Sequence, residues 1–183
     1  SRFLCETSLL LSTPPLWIRR HLERIRQSSN RRQAAEHGVI TVKDYFMERD
    51  LAHAQELTEE IMANAQVTVE RVNDFLQRAG RSDITQVRSG WRPQGINDAT
   101  ANSASHSKHL LGLACDLPDS DRTLVSWAVD NLDDLRDIGL WMEDPRWTPT
   151  WVHLQIIAPA SGKIVYIPSS SKPLDPSFPV TWA

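Results

Sequence analysis

The chain has 183 residues, 40% of them hydrophobic and 23% charged, with a formal net charge of −3. That balance is typical of a soluble globular protein, long enough for one compact domain and an appendage. It excludes a general nucleic-acid binder, which carries a marked basic excess, and no apolar run approaches the roughly 18 residues of a membrane span.

The charge is unevenly placed. Residues 1–38 hold seven arginines against three glutamates, net +4, which leaves −7 on the other 145 residues. This first segment lacks the succession of basic, apolar and small residues that marks a secretory signal. Its Arg- and Ser-rich character fits a transit peptide weakly; a plain extension, or residues from outside the native reading frame, are the simpler readings. The expected organisation is a basic N-terminal extension (1–38), a working domain (39–168) and a Pro-rich tail (169–183), with localisation left open. Cys5 and Cys115 make no disulfide framework, and Cys115 reads as a small buried apolar side chain.

Within the domain, residues 57–79 carry the first strong pattern. Leu57, Ile61, Ala65, Val72 and Leu76 recur at helical spacing, Thr58-Glu59-Glu60 opens the helix and Gly80 stops it. Residues 84–89 alternate like a half-buried strand ending at Gly90. The polar stretch 92–108 reads as a long loop of the kind that carries function. A short buried strand is expected over 110–117 and a second helix over 124–138, closed by Gly139. Two strands, 151–157 and 163–167, are expected to form a hairpin around Pro159-Ala160-Ser161-Gly162. The acidic run Asp130, Asp133, Asp134 and Asp137 reads as a solvated helix face. This order predicts an α+β domain with a small, mostly antiparallel sheet flanked by helices.

The chemistry concentrates in Ser107-Lys108-His109-Leu110-Leu111-Gly112-Leu113-Ala114-Cys115-Asp116. A tight turn at Gly112 would bring His109 and Asp116 to one side, and imidazole and carboxylate are both good zinc ligands at neutral pH. A third ligand is expected from another strand. His153 suits, because alternation in Trp151-Val152-His153-Leu154-Gln155 sets Trp151, His153 and Gln155 on one face. Three protein ligands leave a fourth position for water, the mark of a catalytic zinc site. His106 reads as a solvent-exposed loop residue, and the tryptophans 91, 141, 147 and 151 serve packing at least as well as substrate binding.

The pattern Ser-x-His-x-x-Gly-x-Ala-x-Asp, with a later strand histidine, resembles the zinc D-Ala-D-Ala carboxypeptidases and related phage endolysin peptidases, which share their fold with the hedgehog signalling domain. Ser107, His109, Gly112, Ala114 and Asp116 match the first motif. Ser89-Gly90-Trp91-Arg92 resembles the family's Ser-Gly-Tyr-Arg segment, and Trp151-Val152-His153-Leu154-Gln155 its closing segment. The resemblance covers about residues 85–158. It implies a hedgehog/D-Ala-D-Ala-peptidase-like fold, Zn²⁺ on His109, Asp116 and His153, and hydrolysis of a peptide bond in peptidoglycan stem peptides. It further implies that Arg92 holds substrate or oxyanion; Ser107, Trp151 and Gln155 are read as further substrate-binding residues, Gln155 also as a residue that orients His153. The family places an acid three residues before the last histidine, where this chain has Thr150. Glu143 is the assigned replacement base, brought over the metal by the run 145–149. The alternative reading is a zinc-binding structural or binding module, for example a phage component, that no longer hydrolyses.

Overall fold

In the computed structural model the described residues are 40–168, apart from residue 102. The extension and tail read from the sequence, with Cys5, lie outside them.

The chain enters through two short helices that the sequence pattern did not reveal, α1 (Val42–Phe46) and α2 (Arg49–Ala52), and a 3-10 turn, Ala54–Glu56. Thr41 and Asp44 form a capping box at the start of α1, which turns Tyr45 and Phe46 into the core. The long helix α3 (Glu59–Arg78) follows the expected stripe. Thr58 caps it by accepting from Ile61 N, and Ile61, Ala65, Val69, Val72 and Leu76 are buried. Full burial of a Val, Leu or Ile side chain contributes about 2 kcal/mol, as for Val72 and Leu76 here.

Between residues 80 and 113 the structure departs from the sequence reading. Ile84 and Val87 are buried as expected, yet 84–89 forms no strand; its single sheet contact is an isolated bridge between Ser89 and Asp116. The stretch 92–108 is not a plain loop, because it contains α4 (Gln94–Ala99). The expected strand 110–117 is shorter. A 3-10 helix (Lys108–Leu111) occupies its start, and β1 runs only over Ala114–Pro118.

The second expected helix divides into α5 (Thr123–Asp130) and α6 (Leu132–Ile138). Asn131 breaks it: its backbone leaves helical geometry (φ −129°, ψ 48°). Its side-chain amide donates to Trp127 O at 2.8 Å, competing for a helix carbonyl. The acidic face of α6 is not wholly given to water, since Arg78 of α3 donates to Asp134 at 2.6 Å and Asp137 at 2.8 Å.

The remaining strands are β2 (Trp141–Glu143), β3 (Trp151–Gln155) and β4 (Val165–Tyr166), in the order β1-β3-β2-β4. The sheet is mixed: β3 is antiparallel to β1 and β2, while β4 is parallel to β2. The expected hairpin does not form, because β2 takes the place beside β3 that β4 would have needed. Val152 and Leu154 are fully buried, whereas Trp151 and His153 are half-buried on the other face. Among the described residues no helix is long and apolar enough to cross a membrane.

Candidate metal centre

Sheet register gathers the polar residues into a row. Asp116 of β1 lies opposite His153 of β3, and Glu143 of β2 opposite Tyr166 of β4. Trp141 and Met142 pair with Gln155 and Leu154, so the next step along β2 brings Glu143 level with His153. The Ser89–Asp116 bridge adds Ser89 at the other end. Directly paired residues share a sheet face, so one row runs Ser89, Asp116, His153, Glu143, Tyr166.

His109 reaches this row from outside the sheet. Ser107 caps the 3-10 helix by accepting from His109 N at 3.3 Å. Gly112 then turns the chain through the left-handed region (φ 71°), where a Cβ would stand 2.8 Å from Ile61 O of α3. Both facts require glycine. A second glycine is required by proximity alone: a Cβ on Gly90 would lie 1.9 Å from Tyr45 O. That close approach packs the 89–92 segment against helix α1, while hydrogen bonds hold its other side to the 3-10 helix of His109. Gly90 O lies 2.7 Å from His109 Nδ1, Arg92 N donates to His109 O at 3.1 Å, and Trp91 Nε1 donates to Leu110 O at 3.1 Å. Trp91 is therefore core, not cleft wall; it is 1% exposed.

A carbonyl only accepts, so His109 Nδ1 carries the proton and Nε2 presents a lone pair. That lone pair lies 3.3 Å from His153 Nδ1 and 3.3 Å from Asp116 Oδ1, while His153 Nδ1 and Asp116 Oδ1 are 2.7 Å apart. The three ligand atoms all fall within 4.8 Å of one another, close enough to hold one metal ion. Burial pulls the His109 imidazole below its ordinary pKa, against the pull of Asp116. Burial would also raise the Asp116 carboxyl, but the two histidines hold it well below the usual carboxylate range. For His153 burial opposes the cation, yet the hydrogen bond and charge of Asp116, with Glu143 adding, lift it above its ordinary value.

The other expected site residues take different places. Arg92 donates from Nη2 to Asp116 Oδ2 at 2.6 Å and from Nε to Ser89 Oγ at 2.8 Å, so it grips the ligand carboxylate. Glu143 needs no swing of the 145–149 run; strand β2 already sets it beside His153, where its charge is felt by both His153 and Tyr166. Ser107 is a helix cap. Gln155 is buried, accepting from Tyr166 Oη at 2.8 Å and donating to Ile157 O at 2.6 Å. Trp151 shares the face of His153, two residues away. Thr150 is exposed just before β3. Cys115 is a buried free thiol. Tyr166 and Ser89 join the row without a signal in the sequence that assigns them a role: Ser89 opens the Ser-Gly-Trp-Arg segment, and nothing local marks Tyr166.

No family model matches this chain, and no curated protein or solved structure matches it either.

Proposed function

We propose that the protein is a zinc-dependent peptidase of the D-Ala-D-Ala carboxypeptidase and endolysin type, cutting a peptide bond in peptidoglycan stem peptides. The observation that carries this reading is the convergence of His109 Nε2, Asp116 Oδ1 and His153 Nδ1 within 4.8 Å. Two of the separations, both 3.3 Å, equal the spacing of about 3.3 Å that ligands ~2.0–2.1 Å from a shared tetrahedral centre require. Two imidazoles and one carboxylate are a donor set for zinc with an open position.

Zinc held there would supply Lewis acidity, able to polarise a carbonyl and to bring the pKa of a water to about 7. The chain's own residues do the rest. Gly90 O fixes the His109 tautomer, as a second layer of contacts commonly does for metal-ligating histidines. Arg92 occupies Asp116 Oδ2 and thereby turns Oδ1 toward the histidines. Glu143 stands on the neighbouring strand to take the proton of the attacking water and return it to the leaving amine.

The test is release of D-alanine or cross-link fragments from purified peptidoglycan by the zinc-loaded protein, with and without chelator. Release that stops with chelator is the expected result. Glu143→Gln should lose at least roughly a hundredfold in turnover while keeping its zinc; full turnover in that variant would remove Glu143 from the role. Thr150, standing exposed where the family has its acid, favours the second reading of a zinc-binding module without hydrolysis. Absence of zinc-dependent release from every cell-wall substrate would decide for it.

A further inference from the structure

The face that carries the ligand cluster extends past it. Trp151 precedes His153 by two residues on β3, about 7 Å along the strand. It sits opposite Pro118 as His153 sits opposite Asp116. Arg88 lays its guanidinium over this ring, with Cζ 4.6 Å from the centroid. The backbone brings it there: Arg88 N and Ser89 N both donate to Asp116 O, at 2.8 Å and 3.2 Å, which ties Arg88 to the same edge of β1 as the ligand itself.

Arg88 differs from its kind. Each of the other eight arginines among the described residues donates to a carboxylate or carbonyl oxygen of the protein. Arg88 is exposed, and the contact of its guanidinium among the described residues is the tryptophan face. The cation–π contact restrains the guanidinium over the ring while the residue stays exposed, and a guanidinium takes a carboxylate through two parallel hydrogen bonds. Arg92, which the family resemblance would assign to substrate, is already engaged by Asp116 and Ser89.

We propose that Arg88, stacked on Trp151 beside the metal cluster, forms a subsite for a substrate carboxylate. The substrate class is then a peptide acid whose charged group lies roughly two residues from the bond that is cut. This rests on the peptidase reading for its chemistry, but not for its test. The probes are a stem pentapeptide and versions in which each carboxylate is converted, one at a time, to a carboxamide. With the zinc-loaded 183-residue chain, one of these amides should raise KM roughly tenfold or more, and Arg88→Gln should erase the difference between that amide and the acid. Arg88→Lys keeps the charge without the planar fork and should retain only part of the discrimination; it also serves if Arg88→Gln does not fold, which bound zinc per chain reports. Calorimetric titration of the same peptides reads the same ratio as Kd, so the subsite is decided even if nothing is hydrolysed. Hydrolysis or binding with no discrimination between acid and amides, or discrimination unchanged in Arg88→Gln, overturns the subsite and leaves the peptidase reading standing.

Discussion

At the scale of single residues, the centre is a problem in proton accounting. His109 is neutral through burial and through its bond to Gly90 O, while His153 is lifted above its ordinary value by Asp116 and Glu143. The raised His153 value means that its proton stabilises the metal-free fold. That contribution is complete below the unfolded pKa of about 6.5 and is lost as pH rises through the folded value. Zinc bound as proposed would have to displace the same proton. Zinc affinity should therefore climb about tenfold per pH unit from roughly pH 6.5 up to the lifted His153 value, then level off. The slope should be one proton rather than two, because His109 has none to give at Nε2. Competition titrations against a chromophoric chelator measure it; a flat profile over that window, or a slope of two, would contradict the assignment.

Among elements, the decisive contact is between the 89–92 segment, helix α1 and the 3-10 helix that carries His109. Tyr45 donates its hydroxyl to Ala114 O at 2.8 Å, anchoring the start of β1, and its backbone oxygen fills the space beside Gly90. Gly90→Ala forces backbone apart at that point, and the Gly90 carbonyl that orients His109 moves with it. The expected outcome is a loss of about 2 kcal/mol or more in unfolding free energy together with weaker zinc binding. Denaturant melts and zinc titration report the two separately; unchanged zinc affinity in a destabilised variant would show that Gly90 serves packing alone. This level also explains what escaped the sequence pattern. Helix α3 was legible because its stripe repeats over five turns. The 84–89 segment has a strand's alternation but finds only Ser89 paired, and β4 pairs with β2 instead of its sequence neighbour. Short segments take their state from a partner distant in the chain, and periodicity does not contain that partner.

For the whole molecule, the three residues that could hold an ion come from a 3-10 helix and two neighbouring strands, so a bound ion would tie together parts that folding alone brings side by side. Anything that binds the folded state and not the unfolded one stabilises it by mass action. At free zinc a hundredfold above Kd the gain is about 2.7 kcal/mol, or roughly 10 °C in Tm for a domain of this size. Calorimetry with and without chelator should show that shift, and Asp116→Ala should abolish it. A zinc-independent Tm would count against a metal shared by these three residues.

The sequence by itself determined the α+β class, the long helix, the burial of Cys115 and the identities of His109, Asp116 and His153. It could do so because a helical stripe and a motif of fixed spacing are local facts, complete within some ten to twenty residues. It also pointed to Glu143, as one of the two carboxylates nearest to Thr150 in the chain. Tertiary structure alone decided the rest. Strand order set Glu143 beside His153 without any loop movement, turned Arg92 onto Asp116, and left Arg88 lying on Trp151. Those outcomes depend on which strands become neighbours and in what register, and that is settled by packing across the sheet, where residues far apart in the chain meet.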